Sequence, residues 1–279
     1  MIYDCFLYYD EDMLLDIRLH TLNAAVDRFV IVESTHTFTG KPKNLNFDAD
    51  KYAEFKDKII YVIFDEPPLL KDGQCDAWAN EAATRNAIMR GLEQAQDNDL
   101  VLISDVDEIF NPDVINTINP GRLCTILHMP FYNYQFNLQV FNPDGSARQC
   151  RLPRATRMRN LRQYFGGQPE TFRNIKKSGI YNHFISRNWF KLRSSVIKNA
   201  GWHFSWIMTP ERISEKMSSI SHTEYDLPHL NNKAHIVAAL TSAKDLWNRD
   251  RKLIKQELCV EKFPRYLVEN REKYQDFIL

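Results

Sequence analysis

The feature that most constrains this chain is a short apolar run that ends in three carboxylates. The run Leu100–Ile103 is followed by Ser104 and then, within four positions, by Asp105, Asp107 and Glu108. An apolar run of this length between polar residues is typical of a buried strand in an α/β sheet. Because ligands of such sheets bind beyond the carboxyl ends of the strands, the three carboxylates are predicted to lie at a ligand site.

Asp105 and Asp107 form an Asp-x-Asp motif whose side chains project to the same side of an extended chain. Two neighbouring carboxylates repel each other, and a cation would neutralise them. Mn²⁺ or Mg²⁺, with substrate phosphate oxygens completing the coordination, suits such a pair. A second interpretation stays open here, in which the acids belong to a loop before a helix that opens at Asn111-Pro112-Asp113.

The composition excludes several classes of protein. Lys+Arg and Asp+Glu number 36 each among 279 residues, so bulk charge gives no case for nucleic-acid or membrane binding. No segment has the length and apolarity of an integral membrane helix, and residues 2–9 do not resemble a signal peptide. Five scattered cysteines without a Cys-x-x-Cys pair indicate free thiols in a reducing compartment, so the expected location is the cytoplasm.

The first half of the chain alternates between strand and helix patterns. Strands are predicted at 2–9, 29–32, 59–64 and 100–103, with helices at about 12–25 and 80–96. This order indicates an α/β fold with a mostly parallel sheet. Three of the strands end at an acid, namely Glu33, Asp65 and Asp105. No GxGxxG or Walker motif is present, which argues against a dinucleotide-binding domain or a P-loop NTPase.

The second half has a different pattern. A strand at about 123–129 precedes an arginine-rich stretch at 148–162, which fits either a phosphate-bearing acceptor or a solvated strand face. Helices are predicted from Thr209-Pro210 and over about 232–247. Without a repeat or linker, we expect one domain over 1–279, made of two halves at about 1–120 and about 121–279.

Five short segments carry a more specific signal. They are Glu11–Arg18, Thr39–Pro42, Asp105–Ile109, Gly201–Trp206 and Pro264–Leu267, and Val26–Val30, Phe47, Thr209–Glu211 and Phe277–Leu279 add to it. They resemble motifs of glycosyltransferase family 17, including its Asp-x-Asp-Glu-Ile and its Gly-Trp-His-Cys-Ser-Trp. This chain has Phe110 where the family usually has Pro and Phe204 where it has Cys, and residues 130–195 match poorly.

The resemblance implies a GT-A-type nucleotide-sugar-binding fold with a mostly parallel twisted sheet and flanking helices. It implies an inverting, metal-dependent transfer of a sugar, N-acetylglucosamine first, from a UDP-sugar to a glycan acceptor. The expected cofactor is Mn²⁺ or Mg²⁺. Two alternatives remain, a non-catalytic nucleotide- or glycan-binding protein and a nucleotidyltransferase that uses the same acidic strand.

The resemblance also assigns roles to the acidic strand and to the Gly-Trp-His segment. Asp107 and His203 are predicted to bind the metal, and Asp105 to contact the donor ribose or share the cation. Gly201 would let the backbone approach the diphosphate. The alternative for His203 is a histidine packed in the core.

Three further residues are predicted to contact the donor. Arg85 and Asn86 lie on the helix before the acidic strand, as an Arg-Asn pair often does in GT-A enzymes, and Arg suits phosphate. Glu33 could accept from uracil or ribose. The alternatives are a surface arginine and, for Glu33, a helix cap or a solvated acid.

Inversion needs a general base, and Glu108 is the candidate because it directly follows the metal pair. The alternative is a structural acid that contacts backbone or an arginine; Glu170, Glu211 and Glu224 stay open as bases. Tyr132, Tyr134 and Trp206 are predicted to stack on acceptor sugars, although most aromatic side chains belong to the core.

Overall fold

The computed structural model describes residues 1–219 and 226–279, which form helices packed on two main β-sheets. The strands are β1 Ile2–Leu7, β2 Arg28–Ser34, β3 Ile59–Phe64, β4 Leu70–Lys71, β5 Gln74–Cys75, β6 Leu100–Ile103, β7 Glu108–Phe110, β8 Cys124–Leu127, β9 Met129–Asn133, β10 Leu138–Phe141, β11 Gln149–Cys150, β12 Arg154–Arg157, β13 Ser194–Ile197, β14 Gly201–Ser205 and β15 Lys252–Lys255. The helices are α1 Asp12–Leu22, α2 Ala77–Asn86, α3 Ile88–Gly91, α4 Pro112–Ile115, α5 Met158–Phe165, α6 Pro169–Arg173, α7 Gly179–Asn182, α8 Phe184–Arg193, α9 Pro210–Ser219, α10 Lys233–Thr241 and α11 Arg265–Glu269. None of these helices is long and apolar enough to cross a bilayer.

The larger sheet has seven strands in the order β13-β8-β12-β6-β1-β2-β3. Strands β6, β1, β2 and β3 are parallel neighbours, and β13 is parallel to β8. Strand β12 runs antiparallel to both β6 and β8. The predicted α/β class with a mostly parallel sheet is confirmed. Because β6 lies beside β1, the acidic residues that follow β6 lie close to the loop between β1 and α1.

The second sheet brings the Gly-Trp-His segment to the acidic strand. Its order is β15-β10-β9-β14-β7, and β14 pairs antiparallel with β7. In this register His203 lies opposite Glu108 and Trp202 opposite Ile109. Segments almost a hundred residues apart in the sequence therefore become neighbours.

Both faces of the larger sheet are covered by apolar packing. One core contains Leu15 and Leu19 of α1 against Phe29 and Leu102, and the other contains Ile88 and Phe190 against the opposite face. The predicted first-half strands and the first helix agree with the structure apart from their ends. The helix predicted at 80–96 is two helices that end at Gly91, and the helix predicted at 232–247 ends at Thr241, because Ala243 has a left-handed backbone.

Candidate functional site

A cavity of about 460 Å³ lies at the carboxyl ends of β1, β2 and β6. Its wall includes Tyr8 to Glu11, Ser34, and the stretch Asp105 to Asp107. The second half of the chain closes it with side chains from α6, α9 and the end of β14. Of the three acids expected at a ligand site, Asp105 and Asp107 lie on the wall of this cavity and Glu108 does not.

Asp105 is held between two buried arginines. One carboxylate oxygen accepts from Arg85 Nη1 at 2.6 Å and the other from Arg173 Nη2 at 2.5 Å. Burial by itself would raise the pKa of Asp105, but the Arg173 and Arg85 guanidiniums outweigh it and hold the pKa well below its usual range. Asp105 is thus ionised and already neutralised by arginine, which leaves it a poor direct ligand for a cation.

Asp107 is the carboxylate that meets His203. Its Oδ2 lies 3.4 Å from His203 Nε2, and both side chains are at least four-fifths buried beside the cavity. Burial lowers the pKa of His203, but the Asp107 carboxylate outweighs it and raises that pKa well above its ordinary value. Lys216 contributes a further positive charge that favours ionised Asp107. The predicted meeting of these two distant residues is therefore present in the fold.

Glu108 lies beneath the cavity and is completely buried. Its carboxylate accepts from Arg173 at 2.6 and 2.9 Å, from the backbone N–H of Asp105 at 2.8 Å, and from the Cys150 thiol at 3.1 Å. It does not reach the cavity wall. These contacts match the alternative role considered for Glu108, that of a structural acid that contacts backbone and an arginine.

Arg18, from the Glu11–Arg18 segment, supports the acidic turn from below. Its guanidinium forms a buried pair with Asp4 at 2.5 and 2.7 Å. Its Nη1 donates to the backbone carbonyls of Asp105, Val106 and Glu108. The backbone of the Asp-x-Asp-Glu turn is therefore fixed by a side chain whose charge is balanced within the core.

Two predicted donor contacts are corrected by the geometry. The buried carboxylate of Glu33 accepts from Lys43, from the backbone N–H groups of Asn46 and Phe47, and from Tyr61, so it anchors the 43–47 loop instead of facing the cavity. Asn86 accepts from the Glu170 backbone N–H at 3.0 Å and joins α2 to α6. Neither side chain lines the cavity.

Of the predicted acceptor aromatics, only Trp206 lies on the cavity wall. Tyr132 packs in the core against Phe204 and Phe263. Tyr134 is also buried, and its hydroxyl accepts from the Leu246 backbone N–H at 2.9 Å. The assignment of the two tyrosines to an acceptor is corrected, because side chains enclosed in the core present no face to a sugar.

Gly201 has a different role from the predicted approach to a diphosphate. A Cβ at this position would lie 2.1 Å from the Ile109 carbonyl oxygen and 2.8 Å from the Phe110 Cα. Glycine is therefore needed for the close pairing of β14 with β7. That pairing is what brings His203 beside the acidic turn.

The chemistry of the site fits a divalent cation at Asp107 and His203. The Asp107 carboxylate on the cavity wall and the His203 imidazole nitrogen 3.4 Å behind it form a mixed donor pair that suits Mn²⁺ better than Mg²⁺. Within the described residues, one group of three metal-ligand types also lies close together, Glu108, Cys150 and His203. Glu108 already accepts from Arg173 and from the Cys150 thiol, so we do not assign a second metal site to this group.

Comparison with known proteins identifies the family. The sequence model described as glycosyltransferase family 17 matches residues 1–164, more than half of the chain. The chain belongs to glycosyltransferase family 17. It is 26% identical over 230 residues to the rat and human proteins named beta-1,4-mannosyl-glycoprotein 4-beta-N-acetylglucosaminyltransferase. The match covers 76% of this chain but only 41% and 42% of those relatives, so the chain spans less than half of their length.

Two solved structures show weak overall similarity to this family 17 chain. S. aureus TarS 1–349 in complex with UDP has 15% identity and a TM-score of 0.39, covering 86% of this chain and 71% of that one. The 2-C-methyl-D-erythritol 4-phosphate cytidylyltransferase of Francisella tularensis has 9% identity and a TM-score of 0.34, covering 79% and 100%.

Several cavity residues of this family 17 chain were missed by sequence reasoning. They are Arg173 on α6, Lys216 and Arg212 on α9, and Glu81 and Trp78 on α2. Arg173, Arg212 and Lys216 lie beyond the residues that the family model matches, and no local motif marks them. The available signal was weak: Arg173 precedes Lys176 and Lys177, and Arg212 directly follows the Thr209–Glu211 segment, but neither pattern assigns a role to the arginine.

Proposed function

We propose that this chain is an inverting, metal-dependent glycosyltransferase that transfers N-acetylglucosamine from UDP-N-acetylglucosamine to a glycan acceptor. The observation that carries the proposal is Asp107 on the cavity wall with His203 3.4 Å from its carboxylate, in a chain that belongs to glycosyltransferase family 17. The relatives named as N-acetylglucosaminyltransferases support the choice of sugar. The name of these relatives also makes a mannose-containing glycan the first acceptor to test.

Asp107 and His203 would hold the cation, with Mn²⁺ preferred over Mg²⁺. When bound, the cation would supply positive charge that stabilises the departing nucleoside diphosphate. His203 must be neutral to act as a ligand, so metal binding would release the proton that Asp107 now favours on its ring. Phe131 packs against the ring at 4.2 Å between centroids and would hold its orientation.

The arginines would organise the donor side of the cavity. Arg85 and Arg173 fix both oxygens of Asp105, so this carboxylate would act as an oriented acceptor for a ribose hydroxyl. Lys216, at the same wall, would add positive charge near the donor phosphates. We therefore assign Glu108 to the support of Arg173 and the acidic turn, and not to proton transfer.

The general base would then be another carboxylate that reaches the cavity. Besides Asp105 and Asp107, the described wall contains Asp10, Glu11 and Glu81. Each of them is paired with a cation, respectively Arg212, Lys216 and Arg85. Glu170 and Glu211, which stayed open in the sequence, pair with Arg85 and Lys233 and are not part of the described wall. Glu224 lies outside the described residues.

The acceptor would be bound by the aromatic part of the wall. Trp206 and Trp78 both line the cavity, and flat indole faces suit the C–H faces of sugars. Trp206 is fixed by an edge contact with Trp247 at 5.1 Å between centroids. A rigid ring of this kind would position a sugar without a large loss of side-chain entropy.

The compartment is a proposal as well. All five cysteines are free, which supports a reducing environment such as the cytoplasm.

The test is release of UDP from a panel of UDP-sugars, with and without Mn²⁺, in the presence of mannose-containing oligosaccharides. We expect acceptor-dependent release from UDP-N-acetylglucosamine, no release after chelation, and none from the Asp107→Asn variant. Nucleotide binding without UDP release would favour the non-catalytic alternative. Pyrophosphate formation from a nucleoside triphosphate and a sugar phosphate would favour the nucleotidyltransferase.

A further inference from the structure

Residues 171–210, which include α8, carry a strong positive charge, although the whole chain has no net charge. No Asp or Glu occurs between Glu170 and Glu211. The same interval contains seven basic residues: Arg173, Lys176, Lys177, Arg187, Lys191, Arg193 and Lys198. Arg173 is neutralised by Asp105 and Glu108, and the other six cations create a positive field on one part of a neutral protein.

The outer face of α8 is apolar. Ile185, Trp189 and Leu192 have helical spacings of four and three residues, so their side chains share one face. Their exposed fractions are 82%, 37% and 77%, and that of the preceding Phe184 is 71%. Phe190 points the other way and is buried in the core, so the exposed stripe is not needed for packing α8 on the sheet.

Cations border this apolar stripe. Lys191 and Arg193 are exposed on the same helix, and the exposed Arg122 donates to the Leu192 carbonyl at 3.2 Å. The neighbouring edge strand β13 continues the surface with Val196, which is half exposed, and ends before the exposed Lys198. We call this set the α8 surface: the apolar residues Phe184, Ile185, Trp189, Leu192 and Val196 and the cations Arg122, Lys191, Arg193 and Lys198.

We propose that the α8 surface docks on an anionic phospholipid bilayer. A short helix with Trp, Phe and Leu on one face and Lys and Arg beside it can lie in the membrane interface with its apolar side among the headgroups. Negative lipid headgroups complement the cations, each contributing on the order of 1 kcal/mol when it lies near the surface. A neutral apolar partner would not account for the absence of acids over this interval. The inference is independent of the proposed glycosyl transfer.

The experiment is flotation of the whole chain with lipid vesicles, with no sugar donor present. Vesicles of phosphatidylcholine alone are compared with vesicles that contain about one third phosphatidylglycerol, at low and high salt. We expect flotation on the anionic vesicles, loss of at least about tenfold in binding on neutral ones, and weaker binding at high salt.

Two double variants separate the α8 surface from exposed apolar residues in general. Ile185→Ser with Leu192→Ser should reduce binding by about tenfold or more, because both side chains would otherwise enter the interface. Leu70→Ser with Ile254→Ser is the matched control, since these exposed residues lie on β4 and β15. It should bind like the unchanged chain.

Three outcomes would overturn the proposal. The first is no flotation on anionic vesicles at low salt, and the second is equal loss in both double variants. The third is a dimer, measured by light scattering, that the α8 variant abolishes while flotation stays unchanged. In that case the surface binds a second copy of the chain.

Discussion

Arg173 Nη1 lies 2.6 Å from Glu108 Oε2, and the same guanidinium reaches Asp105 at 2.5 Å. Arg173 thus connects a fully buried carboxylate to the carboxylate that faces the cavity. Removing either partner of the buried Arg173–Glu108 ion pair would leave the other as an uncompensated buried charge. Through this link, α6 of the second half of the chain controls the geometry of the Asp-x-Asp turn.

The first prediction concerns this pair. Arg173→Met should lower the free energy of unfolding by about 3–5 kcal/mol, because Glu108 would stay buried without its partner. Adding Glu108→Leu should recover most of that loss but not the transfer activity, since Asp105 would still lack Arg173. Chemical denaturation measures the stabilities. Arg265→Met, which breaks an exposed pair with Glu269, is the control and should change stability by less than about 1 kcal/mol.

The same measurements distinguish the two roles of Glu108. Glu108→Gln should lower stability if the residue supports Arg173. If it were the general base, the variant would keep its stability and its UDP affinity and lose about 10²-fold or more in transfer rate. That second pattern would restore Glu108 to the catalytic role.

The second prediction concerns His203. His203→Ala should raise the Mn²⁺ concentration for half-maximal activity by roughly 10–100-fold, as expected when a ligand of the cation is lost. His229→Ala, which removes an exposed histidine, should leave the Mn²⁺ dependence unchanged. A His203 variant that is less stable but has an unchanged Mn²⁺ requirement would show that the ring serves packing alone.

The third prediction concerns the nucleotide. UDP with Mn²⁺ should raise the Tm by several degrees at a concentration of about 100 times its Kd, because a ligand of the native state stabilises it by about 2.7 kcal/mol there. ADP and GDP at the same concentration are the comparison. Equal stabilisation by all three would contradict the assignment of a uridine donor.

The fourth prediction concerns Gly201. Gly201→Ala should destabilise the protein by more than about 3 kcal/mol or prevent folding, because the new Cβ would overlap the Ile109 carbonyl. Gly179→Ala is the matched control, since a Cβ there meets no atom within 4 Å. Thermal unfolding measures both, and a Gly201 variant as stable as the control would refute the close pairing of β14 with β7.

The fifth prediction concerns acid stability. Asp16 accepts from Lys273 at 2.6 Å and from Tyr274, which ties α1 to the C-terminal segment. Burial by itself would raise the pKa of Asp16, but the hydrogen bonds from Lys273 and Tyr274 lower it below its ordinary value. A carboxylate with a lowered native pKa stabilises the fold above its unfolded pKa of about 3.9, and this contribution disappears as the pH falls through the native pKa.

Asp16→Asn should therefore cost about 1–2 kcal/mol of unfolding free energy at neutral pH, and this difference should shrink below about pH 4. Denaturation across that pH range measures the difference. The exposed Asp57→Asn is the control and should follow the unchanged chain at every pH. A constant difference for Asp16→Asn at all pH values would exclude the ion pair as its cause.

The sequence by itself determined the elements and the general location of the site. The buried strands and the α1 pattern follow from apolar periodicity, and the position of Asp105 and Asp107 follows from the rule that parallel strands present their carboxyl ends to a ligand. The family resemblance added His203. These features depend on residues that are close in the sequence or on short family motifs, so the sequence alone is enough to recognise them.

Only the tertiary structure decided what each side chain contacts. Arg173 reaches Glu108 across 65 positions, and the Glu33, Tyr132 and Tyr134 side chains are enclosed by segments distant in the sequence. No periodicity or spacing encodes such a pairing, because it depends on how two sheets and their helices pack. Glu108 is therefore a candidate base when only the sequence is considered, and a structural anchor once its neighbours in space are known.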